Sequence, residues 1–269
     1  MKLAYPVTTP EVSGDYMAFT GSFAENIRVI KSIGYDALEL LVCDPAGMNL
    51  SALQTLIRQQ KLQVAAIGTG PAVAQDGLTL LDPDPQVRER AVLRLLDLVD
   101  LASLWGAVLA IGKYRGQLWQ GREEEAWQVL AQALVRIDGA AAVGGVTVVI
   151  EPQSPFVLNS FHTTAETVGW LDCQGIAGTG ILYDFCHGDI AEDTVASGIL
   201  HAGERLRFVH CSDNDRLVPG TGHIHLQEAF DALHTIGYDG FVSMEICQQP
   251  EAATAARLAY QQISLFIRS

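Results

Sequence analysis

No apolar run in this chain approaches the roughly 20 residues that a membrane-spanning helix needs. The opening Met1-Lys-Leu-Ala-Tyr-Pro6-Val7 has too short an apolar stretch and too early a proline for a secretory signal. It reads as the first strand of a cytoplasmic protein. Basic residues are scarce, with 17 Lys and Arg against 31 Asp and Glu and a net charge of -14. A field of that sign repels phosphate backbones, which argues against nucleic acid as a partner, and it favours divalent cations. Cysteines number five, at Cys43, Cys173, Cys186, Cys211 and Cys247, with no Cys-x-x-Cys pair. That spacing excludes a disulfide framework and a thiolate zinc site, and leaves Cys186, Cys211 and Cys247 as small packing residues. No linker, low-complexity tract or shift in composition divides the chain, so residues 1–269 are expected to form a single domain.

What the chain has in abundance is alternation of short β-rich runs with longer helical patterns. The strand candidates are Lys2–Val7, Ala37–Val42, Gln63–Ile67, Ala107–Ile111, Val146–Ile150, Gly180–Tyr183, Leu206–Val209 and Gly240–Met244. Helix signals fall between them. Ser22 with Glu25 and Thr163 with Glu166 have capping-box spacing, and Gly34 ends the first helix. Asp84-Pro-Gln opens a helix running through Leu104, residues 121–143 form another, and Pro250 precedes the last. Eight βα units predict an α/β fold, the (β/α)8 TIM barrel. An open doubly wound sheet is the rival, but no Gly-rich phosphate loop is present to favour it.

Four polar residues close four successive strand candidates: Glu151, Asp184, His210 and Glu245. In a barrel, catalytic groups sit at such C-terminal strand ends. Alternation puts Glu151 with Val149 and Thr147, Asp184 with Leu182, His210 with Phe208 and Glu245 with Ser243 on one face. Three carboxylates and one imidazole form a ligand set for a hard or borderline divalent ion such as Mn2+, Mg2+, Co2+ or Zn2+, with Mn2+ the expected one for the enzyme read below. Such a site polarises a carbonyl, while the two glutamates serve as acid and base.

The segments Glu151-Pro, Asp184-Phe-Cys-His187, His210-Cys-Ser-Asp213-Asn-Asp-Arg216, Pro219-Gly-Thr-Gly-His223 and Met244-Glu245 resemble the xylose-isomerase-like sugar isomerase and epimerase superfamily. Within it they resemble the D-tagatose/D-allulose 3-epimerases. The segments Ile67–Gly70, Asp76–Leu78, Asp82–Arg88 and Ile111–Gly116 are closer to keto-gluconate epimerases. The resemblance spans essentially the whole chain. It implies metal ligation by Glu151, Asp184, His210 and Glu245, with Glu151 and Glu245 exchanging the C3 proton of a ketose or keto-acid sugar through a cis-enediolate. It also implies substrate contacts from His187 and Arg216, and a homo-oligomer, dimeric or tetrameric. Rival activities on the same scaffold are a hydroxypyruvate-type 1,2-isomerase and a cyclitol dehydratase, and a rival of another class is a non-catalytic sugar-binding barrel. An endonuclease IV-like enzyme needs histidines on the first strands, whereas none precedes His162 here.

Two departures surround the pocket. The family's Glu-Pro-Leu-Asn-Arg-Phe/Tyr-Glu reads Glu151-Pro-Gln-Ser-Pro-Phe156, without the second glutamate, and its Pro-Gly-x-Gly-His-x-Asp ends in His225. Lys113, Arg115 and Arg216 place cations at the expected mouth, where they either balance local acids or, facing the pocket, suit a sugar carboxylate. Glu39, ending the second strand, is expected either to orient a substrate group or to cap the following loop. Trp119 reads as a packing residue, with closure over the substrate as the alternative, and His223 and His225 are expected to hydrogen-bond within their loop, with an extra metal site as the alternative. No phosphate loop is evident, which favours an unphosphorylated substrate.

Overall fold

A computed structural model describes residues 1–267. Eight parallel strands close into a barrel in simple sequence order, each paired with its neighbours and β1 with β8. They are β1 (Lys2–Thr8), β2 (Ala37–Leu41), β3 (Gln63–Gly68), β4 (Val108–Ile111), β5 (Val148–Ile150), β6 (Gly180–Asp184), β7 (Leu206–His210) and β8 (Phe241–Ser243). The (β/α)8 expectation is borne out. The strands that carry the site are short, and the polar residues lie at or just past their ends.

Among the described residues ten α-helices surround the barrel: α1 (Phe23–Ile33), α2 (Leu50–Gln60), α3 (Gly70–Asp76), α4 (Pro85–Ser103), α5 (Glu123–Gly144), α6 (Thr164–Cys173), α7 (Phe185–Ala191), α8 (Val195–Ala202), α9 (Leu226–Thr235) and α10 (Ala252–Ile267). Asp84 caps α4 by accepting from Gln86 N, as its Asp-Pro signal predicts. Thr163 caps α6 through Glu166 N. The Glu166 carboxylate reaches past the cap to Phe161 N and His162 N, so it secures the preceding loop instead of closing a capping box. Ser22 does occupy the N-cap of α1, but its hydroxyl makes no capping bond, so that box does not form. No described helix is long and apolar enough to cross a membrane.

Two apolar layers follow from strand alternation. Inside the barrel, Ala4, Ala37, Ala66 and Ala110 on the first four strands meet Val149, Leu182 and Phe208 on the next three. Small residues on one half leave room for larger ones on the other. Outside, the second face of each strand packs on the helices, as with Tyr5, Leu40, Ile67, Ile150, Tyr183 and Val209. Cys211 joins this outer layer and points away from the mouth, as alternation predicts. The register then sets the depth of the site, for Asp184 pairs with His210 and His210 with Ser243.

Candidate active site

The C-terminal mouth opens as a cleft of about 1140 Å³, with Glu39, Glu151, His187, His210, Arg216 and Glu245 in its lining. One ligand atom from each of Glu151, Asp184, His210 and Glu245 falls within 4.8 Å of the others. Sequence alternation therefore brought the four expected ligands together. The Phe208 ring meets the His210 imidazole edge-on at 5.5 Å and forms the floor beneath it.

His210 is held from below. Its Nε2 lies 3.1 Å from both carboxylate oxygens of Glu39, and Ser243 Oγ donates to Glu39 Oε2 at 2.7 Å. A carboxylate only accepts, so Nε2 carries the proton and Nδ1 is left for the cleft. Nδ1 is buried without a hydrogen-bond partner. It stands 3.5 Å from Glu151 Oε1, 3.8 Å from Asp184 Oδ2 and 3.4 Å from Glu245 Oε2. Burial alone would depress the imidazole pKa, yet Glu39 and Glu245 raise it well above the usual histidine range. Three carboxylates crowded around one orphaned nitrogen call for a positive charge at their centre, and the donor set fits a divalent cation.

Arg216 approaches from the loop after β7. Its Nη1 donates to Asp184 Oδ2 at 2.5 Å and to Glu245 Oε2 at 3.0 Å, while Nη2 lies 3.0 Å from His187 Nε2. Burial works against the guanidinium charge, but Asp184 and Glu245 more than offset it and raise its pKa. Burial would likewise raise Glu245, and His210 and Arg216 instead hold its carboxyl well below the usual range. The loop that presents Arg216 is built on Asp213, whose carboxylate accepts from Asn214 N, Gly220 N and Ile224 N. Arg216 itself has φ 63, and its carbonyl accepts from Cys247 N. His187 N donates to Asp184 Oδ1, so Asp184 caps α7 and aims His187 into the cleft.

Several expected roles are corrected. Arg115 does not reach the substrate space: it is fully buried and donates to the carbonyls of Gly112, Glu151, Ser160 and Phe161. Burial pushes its pKa down to about 10 although Glu151 and Glu166 oppose the shift. It is a brace for the β5 loop. Glu39 lines the cleft, but its oxygens are spent on His210 and Ser243, so it orients the imidazole and not a substrate group. Trp119 donates to Leu81 O and stacks between Arg88 and Arg122, away from the cleft lining. His223 pairs with Asp189 across to α7, whereas His225 is an exposed N-cap without a side-chain bond. Cys247 lines the cleft, unlike Cys211. Lys113 lines it as well and is exposed.

Sequence reasoning placed Ser243 on the face of Glu245 but assigned no role to Ser243, Asp213 or Gln153. Strand alternation marked Ser243 alone; Gln153 lies beyond the end of β5, and the partners of Asp213 are backbone amides.

Residues 27–264 match the family model described as xylose isomerase-like TIM barrel. A D-psicose 3-epimerase from Agrobacterium fabrum is 33% identical over 84% of this chain and 80% of its own length. An L-ribulose 3-epimerase from Methylomonas sp. is 29% identical over 87% of this chain and 80% of its own. The solved structure of an L-ribulose 3-epimerase superposes with a TM-score of 0.82 at 24% identity, covering 98% of this chain and 94% of that one, which supports the fold.

Proposed function

Because the chain belongs to the xylose isomerase-like TIM barrel family, we propose that it is a metal-dependent epimerase acting at C3 of an unphosphorylated ketose or keto-acid sugar. The observation that carries this reading is the pairing of two glutamates with a buried ligand cluster. Glu151 follows β5 and Glu245 follows β8, and both approach the same His210 nitrogen, at 3.5 and 3.4 Å. The named relatives, L-ribulose and D-psicose 3-epimerases, support the same chemistry.

Glu151, Asp184, His210 and Glu245 would hold the divalent ion, which in this proposal is Mn2+, an ion suited to carboxylate ligands. When bound, the ion would supply Lewis-acid polarisation of the ketose carbonyl. The chain's own residues do the rest. One glutamate removes the C3 proton, and the C–H electron pair becomes the C2–C3 double bond of a cis-enediolate. The other glutamate returns a proton on the opposite face. A positioned acid or base of this kind contributes about 10²–10⁴-fold in rate. Arg216 and His187 line the cleft and would bind substrate oxygens, while Glu39 keeps the His210 imidazole in the ligating tautomer. The five cysteines are free thiols, which supports a reducing, cytoplasmic setting.

Incubation of metal-stripped protein with a panel of 2-ketoses and keto-acid sugars, with and without added Mn2+, tests the proposal. A C3 epimer formed only with Mn2+ is expected. Aldose products, or no product from metal-loaded protein, would remove it.

A further inference from the structure

Gln153 has no part in the chemistry above, yet it is 4% exposed in the lining of the cleft. Its Nε2 donates to Glu151 Oε2 at 2.6 Å. The carboxamide has one way round here, because a carboxylate only accepts and the amide oxygen would be repelled. The backbone of Gln153 is fixed on both sides. Its N donates to Phe161 O at 2.8 Å, and its carbonyl lies 3.0 Å from His162 Nδ1. Arg115 ties the two ends of the same loop through Glu151 O and Ser160 O. On the β4 side, Gly112 makes room for the pair: a Cβ there would lie 2.4 Å from Glu151 Oε2 and 2.8 Å from Gln153 Nε2.

The two oxygens of Glu151 therefore differ. Oε1 is 3.5 Å from His210 Nδ1, inside the ligand cluster. Oε2 lies against Gly112 and is held by the amide, with its second lone pair available for a proton. We propose that Gln153 is a positioning residue that fixes Glu151 Oε2 as the oxygen that takes and returns the C3 proton on one face of the sugar. The inference rests on the epimerase reading. In the step it serves, the C3–H proton moves to Oε2 and the bonding pair forms the enediolate double bond. The amide itself gains and loses no proton, and a short hydrogen bond to a charged acceptor holds the carboxylate against rotation.

Gln153→Met keeps the length and burial of the side chain and removes the donor; Gln153→Leu is a second variant should the first fail to fold. Each Mn2+-loaded protein is followed in D2O, starting from either C3 epimer, and deuterium is read separately in residual substrate and in product. Slowing only the Glu151 transfer makes the enediolate return through Glu245 before it crosses. The substrate-to-product label ratio should then rise about tenfold from one epimer and not from the other, since a lost charge-assisted bond lowers one barrier-crossing rate selectively. With it, kcat should fall about 10–100-fold while KM moves less than about threefold. Label ratios equal to wild type from both epimers would overturn the role. So would a tenfold loss of Mn2+ affinity in calorimetry, because Gln153 would then be supporting the ligand set. Absence of C3 label in the wild-type protein would overturn the epimerase reading and this inference with it, and is distinguishable because it needs no variant.

Discussion

His210 turns Nε2 to both oxygens of Glu39, 3.1 Å away, and thereby leaves Nδ1 facing the carboxylates of Glu151, Asp184 and Glu245. The relationship joins β2 to β7 across the inside of the barrel, and it fixes the orientation and tautomer of the imidazole.

Glu39→Gln should leave the fold intact and weaken divalent-ion binding about 10–100-fold, the usual cost of losing a carboxylate behind a ligating histidine. Titration calorimetry with Mn2+ measures this. Unchanged affinity would mean that Glu39 serves something other than His210.

Glu151→Gln and Glu245→Gln should each reduce turnover by at least about 10²-fold, in line with loss of a positioned acid or base. Circular dichroism should show a retained barrel. Retained activity in both variants would end the two-carboxylate mechanism.

Arg115→Met should act on stability and not on substrate affinity. The guanidinium is fully buried on four carbonyls. Hydrogen bonds from a charged donor are worth about 1.5–3 kcal/mol each, so the loss should exceed about 3 kcal/mol. For a chain of this size that lowers Tm by about 6–12 °C. A raised KM with an unchanged Tm would restore Arg115 to the substrate site.

Arg216→Met should destabilise the metal-free protein more than the Mn2+-loaded one. Its Nη1 is shared between Asp184 and Glu245, which otherwise repel one another in a buried cluster. Thermal melts in chelator and in Mn2+ give the comparison. Equal losses in both conditions would show that the guanidinium does not balance the ligand charges.

Much of this was legible in the sequence for a physical reason. A barrel strand carries its information locally: apolar alternation sets which face points inward, and the residue at its end is placed at the mouth. Asp184, His210 and the flanking Glu151 and Glu245 were therefore identifiable from strand ends alone. Helix starts marked by Asp84 and Thr163 also read correctly, because a cap and its amides are neighbours in sequence. Ser22 has the same local pattern, but its hydroxyl makes no capping bond in the fold. What remained hidden depends on residues brought together from afar. Arg115 meets carbonyls 36 and 45 residues away, and Glu39 meets a histidine 171 residues away. A cation or carboxylate at a strand end looks the same in sequence whether it faces substrate or braces a neighbour.

The most direct test of the central claim is solvent-deuterium exchange followed by NMR, with Mn2+-loaded protein and a panel of ketoses and keto-acid sugars. Deuterium entering at C3, with the C3 epimer accumulating, is the predicted result. Label confined to C1 or C2 would contradict it and move the chemistry to aldose–ketose isomerisation.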